Sequence, residues 1–123
     1  MTFNINWDKR GVYVKFRGVV TAQDLIDANN YVISNGNFEE ISYQIFDFLH
    51  IDDFQVSSYD INIVASMDKS QSEFKHKMKV GIVTLDNYVK EITTEYDQFM
   101  TGSNWETKMF SSYESAKDWA KSK

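Results

Sequence analysis

The residue types best suited to chemistry gather in one stretch of this 123-residue chain, from Asp47 to Tyr59. His50, Asp52 and Asp53 supply an imidazole and two carboxylates, groups that ligate divalent metals or move protons. Successive side chains in a loop need not converge, however, and no second ligand cluster accompanies them. His76, the only other histidine, sits in a polar segment with Lys69, Lys75, Lys77 and Lys79. No metal and no cofactor is expected. Asp47 closes a compact apolar run, Tyr43 to Phe48. In open α/β sheets ligands bind beyond the carboxyl ends of the strands, so this carboxylate could orient one. The competing reading is that Asp47 accepts backbone N–H groups of its own following loop, because a buried carboxylate must be paired. Ser57 and Ser58 precede a helical pattern. They are ordinary N-cap residues, and a helix N-terminus also stabilises an added phosphate.

The standard catalytic signatures are missing. The chain has no Cys, and it shows no Gly-x-Gly-x-x-Gly, P-loop, Gly-x-Ser-x-Gly elbow or His-Glu-x-x-His. Nucleophilic catalysis therefore lacks its usual parts. With 13 basic and 18 acidic residues, the net charge of −5 disfavours nucleic acid and anionic membrane surfaces. The basic segment from Lys69 to Lys79 is diluted by Asp68 and Glu73 and reads as a solvated loop. No apolar run approaches the roughly 20 residues of a membrane span. The N-terminal residues carry no basic-then-apolar signal pattern, and a cytoplasmic protein is expected.

The elements that hold these residues follow from periodicity. Phe3, Ile5 and Trp7 alternate with polar neighbours, as do Val12, Val14 and Phe16 with Tyr13, Lys15 and Arg17. Two such runs across Asp8–Gly11 predict an antiparallel hairpin. Ala22, Leu25, Ala28 or Asn29, and Val32 or Ile33 recur at helical spacing, with Thr21 as N-cap and Gly36 as stop. Tyr43–Phe48 reads as a strand buried on both faces. The loop His50–Val56 follows, then a helix with Ile61, Val64, Ala65 and Met67. Met78–Thr84 is a further strand. Asp86 or Asn87 opens a third helix, with Leu85, Val89, Ile92, Tyr96 and Phe99 or Met100 on one side, and Gly102 ends it. Trp105–Phe110 is the last strand. Ser111-Ser-Tyr-Glu114 reads as a capping box for a short final helix with Ala116, Trp119 and Ala120; Lys121–Lys123 reads as frayed. The order ββαβαβαβα predicts an α/β sandwich over residues 1–123. Its five-stranded mixed, mainly parallel sheet is covered by about four helices.

These residues resemble a known family, the STAS domain of anti-sigma-factor antagonists, and more closely its SpoIIAA-like, STAS/SEC14-like branch. Gly18-Val-Val-Thr-Ala-Gln-Asp-Leu25 resembles the opening of the family's first helix. Phe46-Asp47-Phe48, followed by Phe54-x-Val-Ser57 and Asp60-Ile61, resembles its Asp–Phe loop and second helix start. Val80–Val83 resembles its fourth strand, and Met109-Phe110 with Glu114, Ala116 and Trp119 its closing strand and helix. Regulatory members carry Asp-Ser-Ser-Gly where the second helix begins, with a Ser that accepts phosphate. Here the stretch is Val56-Ser57-Ser58-Tyr59, so the Ser pair is kept and its flanks are not.

The resemblance implies a compact αβ sandwich and no particular activity; with no catalytic signature beside it, the expected function is a non-enzymatic protein-interaction or regulatory module with a protein partner. The expected surface is Asp47, His50, Asp52, Asp53, Ser57, Ser58 and Tyr59. The alternative is a small carrier, which the lipid-binding SEC14 relatives suggest. It would hold an apolar or amphipathic ligand between helices and sheet, among Phe54, Tyr88, Tyr96, Phe99 and Met100, and would need a pocket of roughly 300 Å³ or more. A third reading is an enzyme using Asp47, His50 and Asp52. A homodimer is compatible with a domain this small and aromatic-rich.

Overall fold

In the computed structural model residues 2–75 and 77–122 are described, so His76 and the end of the predicted frayed terminus, Lys123, lie outside the described residues. Strands β1 (Phe3–Trp7) and β2 (Gly11–Thr21) form the expected hairpin, with Phe3 opposite Phe16 and Trp7 opposite Val12. Helix α1 (Ala22–Ser34) and a short 3-10 turn (Gly36–Glu40) lead to β3 (Tyr43–Gln55). Then come α2 (Ser58–Ser72), β4 (Met78–Val83), α3 (Asn87–Phe99), β5 (Trp105–Phe110) and α4 (Tyr113–Lys121). Lys121 thus belongs to the last helix, and its ammonium lies 3.9 Å from the Asp8 carboxylate. No helix among the described residues is long and apolar enough to cross a membrane.

The strands lie in the sheet in chain order, β2 to β5 parallel and β1 antiparallel at the edge. Each crossover steps one strand the same way. Right-handed crossovers in one direction place their helices on one face, and α1, α2 and α3 do share a face. Helix α4 packs on the other, against Tyr43, Ile45 and Val83. The layers are therefore unequal. The main core fills the three-helix side, from Val14, Phe16, Phe46 and Phe48 to Leu25, Val64 and Ile92. On the α4 side, Asn4, Asn6 and Arg17 of β1 and β2 stay exposed.

Three expectations need correction. His50–Gln55 is strand, not loop. β2 runs on through Gly18 to Thr21 and pairs with it, Arg17 opposite His50 and Thr21 opposite Gln55. Alternation is broken there because β3 gains a residue twice, at bulges facing Lys15–Arg17 and Gly18–Val19. The last helix is capped by Ser112, whose hydroxyl accepts the Ser115 N–H, not by Ser111. Asn35 ends α1, and Gly36 starts the 3-10 turn. The caps at Thr21, Ser57 and Asp86 form as expected.

One glycine is fixed by packing. A Cβ on Gly11 would fall 2.1 Å from the Tyr43 ring. That ring is buried, and its hydroxyl donates to Asp8 at 2.9 Å. Gly11→Ala must displace the ring and break this bond. The expected loss is about 2 kcal/mol of unfolding free energy in urea titration, against about 1 kcal/mol for Tyr43→Phe.

Candidate functional site

The N-termini of α2 and α3 stand side by side beyond the carboxyl ends of β3 and β4. Helix α2 starts where it does because Ser57 has extended backbone (φ −90°, ψ 172°) and a capping box. Its hydroxyl accepts the Asp60 N–H at 3.2 Å, and the Asp60 carboxylate accepts the Ser57 N–H and O–H, each at 2.9 Å. Helix α3 starts on Asp86, which accepts the N–H groups of Tyr88 at 2.8 Å and Val89 at 3.0 Å. Tyr88 ties the two ends together. Its hydroxyl donates to the Val56 carbonyl at 2.7 Å, and its ring meets Phe54 edge-on at 6.2 Å.

Four large apolar side chains at or near these helix starts face solvent. Tyr59 is 75% exposed, Leu85 67%, Tyr88 43% and Ile63 37%. Tyr59 and Ile63 are one turn apart on α2 and so share a side. Leu85 was expected to pack with Val89 and Ile92. It lies before the Asp86 cap, outside the helix, and is left exposed. The rim is acidic, with Asp52 and Asp53 on the end of β3, then Asp60 and Asp86.

The other sequence candidates separate. Asp47 is not at a strand end but within β3, and only 3% exposed. Its carboxylate accepts the Tyr13 O–H at 2.5 Å and the Leu49 N–H at 2.9 Å. The carboxylate is paired within the fold, as the competing reading required, but by Tyr13 and by the backbone two residues on in the same strand rather than by a loop. Burial, then the bond to Asp47, raise the Tyr13 phenol well above its usual range, so it stays a donor. His50 and Asp52 are exposed on the β3 extension, and Asp53 accepts the Phe54 N–H at 2.9 Å and the Gln55 amide at 3.1 Å. Among the described residues no three His, Asp or Glu groups are placed to hold a metal ion.

The proposed ligand pocket is small. The space between sheet and helices is about 40 Å³, with Phe54 and Tyr96 among its lining residues. Tyr88, Phe99 and Met100 are not part of its wall. That volume holds a water-sized molecule and falls well short of the roughly 300 Å³ a ligand requires. The basic segment is used internally. Lys69 donates to the Phe99 carbonyl at 3.3 Å at the end of α3, and Lys79 to the Trp119 and Ser122 carbonyls at 2.9 Å at the end of α4. Both satisfy carbonyls left open where a helix ends.

Sequence reasoning missed one buried carboxylate, having counted Asp68 into a solvated segment. Asp68 of α2, 3% exposed, accepts the Asn29 amide at 2.9 Å and the Tyr96 hydroxyl at 2.5 Å. Burial raises its carboxyl to about 6, against the bonds from Tyr96 and Asn29, which lower it. The signal was present in the sequence, because Asp68 continues the apolar spacing Ile61, Val64, Ala65.

No family model and no curated protein matches this chain in sequence. Solved structures do. An uncharacterised DUF3478-family protein with a SpoIIAA-like fold from Shewanella loihica PV-4 is 19% identical, with a TM-score of 0.59, over 96% of this chain and 91% of that one. The anti-sigma factor antagonist SpoIIAA in its unphosphorylated form is 11% identical, with a TM-score of 0.65, over 98% and 99%. The Bacillus cell fate determinant SpoIIAA in its phosphorylated form is 12% identical, with a TM-score of 0.62, over 97% and 99%. The chain has the SpoIIAA-like fold, as the residue resemblance implied.

Proposed function

We propose that this SpoIIAA-like chain is a non-enzymatic interaction module that docks a protein partner on the paired N-termini of α2 and α3. One observation carries the reading: Tyr59, Leu85 and Tyr88, at or beside the two helix starts, and Ile63 one turn along α2 are each exposed, and the Tyr88–Val56 hydrogen bond holds those starts side by side. An apolar patch with a polar rim is the usual anatomy of a protein-binding surface. Because the rim is Asp52, Asp53, Asp60 and Asp86, the partner that fits brings an apolar knob flanked by Lys or Arg.

Ser58 is the residue through which this surface would be switched. The Ser57 hydroxyl is held by Asp60, and a phosphate there would face that carboxylate. Ser58 is exposed on the first turn of α2, outside the capping box, where the helix dipole favours a phosphate. The existence of a phosphorylated SpoIIAA structure with the same fold makes this the modification to test.

The experiment is quantitative co-purification of the tagged chain from its own host cells. The Tyr59→Ala/Leu85→Ser variant should recover a protein partner at least about tenfold less well than the wild type. Its melting temperature should stay unchanged, because both side chains face solvent. Ser58→Glu should weaken the same partner's recovery. If every protein bound by the wild type is retained by the double variant, the surface is wrong.

A further inference from the structure

The two edges of the sheet differ in a way the α2–α3 surface does not explain. Sheets resist edge-to-edge pairing with charges, Pro, bulges or cover. Strand β5 follows this rule, carrying Glu106 and Lys108. Strand β1 does not. Its sequence Phe-Asn-Ile-Asn-Trp has no charge and no Pro, and its register with β2 has no bulge.

The backbone of β1 has a defined direction. In an antiparallel ladder each residue points its N–H and C=O to one side, and the next residue points them to the other. Arg17 N–H donates to the Thr2 carbonyl at 2.9 Å, and Asp8 N–H to the Gly11 carbonyl at 2.8 Å. Thr2, Asn4, Asn6 and Asp8 therefore face β2. Phe3, Ile5 and Trp7 direct their N–H and C=O groups outward, to the open edge.

We propose that this edge pairs with the same edge of a second copy, antiparallel, about a two-fold axis through Ile5. The strand is its own complement in that register. Phe3 falls opposite Trp7 of the second copy and Ile5 opposite its own counterpart. All the outward N–H and C=O groups of the three residues then find partners. A register shifted by two residues leaves one of the three unpaired. A shift by one sets outward groups against inward ones.

The side chains match as well. On the three-helix side Phe3, Ile5 and Trp7 line an open groove of about 600 Å³ against α1, with Tyr31 at its rim, 57% exposed. Aromatic and β-branched cross-strand pairs are the stabilising ones, and Phe–Trp and Ile–Ile are what this register makes. On the other face Asn4 meets Asn6 of the second copy in the narrow, non-hydrogen-bonded positions, where two carboxamides can bond. The product is one continuous sheet through both copies, with both α2–α3 surfaces free on its far sides.

Sedimentation velocity over a concentration series tests this. The wild type should move as a dimer at tens of micromolar. Asn4→Lys/Asn6→Lys sets like charges opposite each other twice across the axis, and should weaken the dimer at least about tenfold. Asn4→Lys/Asn6→Glu sets opposite charges in the same places, and should return the dimer to within about threefold of wild type. Asn4 and Asn6 are exposed, so circular dichroism, and melting at concentrations low enough to keep all three monomeric, should match. A wild type that stays monomeric to several hundred micromolar overturns the proposal. So does a dimer that ignores the charge pattern, and so does a peptide or other protein, rather than a second copy, protecting the β1 amides from exchange.

Discussion

Phe16→Ala should lower the unfolding free energy by about 4 kcal/mol. Phe16 is fully buried near the middle of β2, on the three-helix face. Its ring stacks on Phe48 at 4.7 Å and 12°, and meets Phe46 at 6.1 Å and Phe3 at 5.9 Å. It thus joins the hairpin to the central strand. The lost transfer energy of the ring is only part of the cost. The space left behind is walled by strands held in register on both sides, so it collapses little, and the cavity term adds fully. Phe16→Leu keeps most of the volume and should cost about 1 kcal/mol. Urea unfolding of both variants checks the pair. A loss below about 1 kcal/mol for the alanine would mean that the aromatic cluster is not where the stability lies.

Periodicity made most of the fold legible because most elements obey it without interruption. Phe3, Ile5 and Trp7, and Val12, Val14 and Phe16, alternate cleanly and form the hairpin. Thr21 with Asp24, and Ser57 with Asp60, mark helix starts with a chemistry that needs no tertiary context. The extension of β3 could not be read. A period of two assumes a continuous ladder, and Phe48-Leu-His-Ile-Asp-Asp-Phe54 crosses two bulges in its ladder with β2. Asp47 shows another limit. Its position in an apolar run suggested a strand end, and only the three-dimensional pairing with Tyr13 shows a closed hydrogen-bond set.

The candidate surface was partly visible, for a different reason. Ser57, Ser58 and Tyr59 fall where a helix begins, and that is a local property. Leu85 and Tyr88 come near them only through the parallel crossover, which brings the start of α3 beside the start of α2. No spacing along the chain encodes that the Tyr88 hydroxyl reaches the Val56 carbonyl, 32 residues away. Spacing likewise does not encode how the aromatic residues from Phe54 to Met100 are distributed, and they do not line one cavity. Phe54 and Tyr96 point into the core, while Tyr88 is 43% exposed and Met100 is buried elsewhere in the core.

Asp68→Asn should change the pH dependence of stability more than any other substitution. The carboxyl rises from 3.8 to about 6 in the folded state, because burial outweighs its two hydrogen bonds. The neighbours facing it are Asn29 of α1, Tyr96 and Thr93 of α3, and Gln44 of β3, none of them a cation. Between about pH 4 and pH 6 the folded chain binds a proton that the unfolded chain has released. Stability from this group therefore falls as pH rises through that window and stays low above it. The difference corresponds to about 3 kcal/mol. Asp8 and Asp24 work in the opposite sense: the Tyr43 hydroxyl lowers Asp8 and the Thr21 N–H lowers Asp24, so they favour the folded state as pH rises. The total curve mixes these signs, and the difference between wild type and Asp68→Asn isolates one of them. The amide carries no charge to bury; its oxygen can keep the bond from Asn29, and its N–H₂ then faces the Tyr96 hydroxyl, which can turn to accept. Asp68→Asn should be the more stable protein by about 2–3 kcal/mol at pH 8, and the gain should vanish near pH 4. Tyr96→Phe removes a bond that favours the charged form, so its transition should move above pH 6. Urea titrations at intervals from pH 4 to pH 8 decide the matter, and a wild-type-to-Asn difference that does not change with pH would show that Asp68 is ionised throughout.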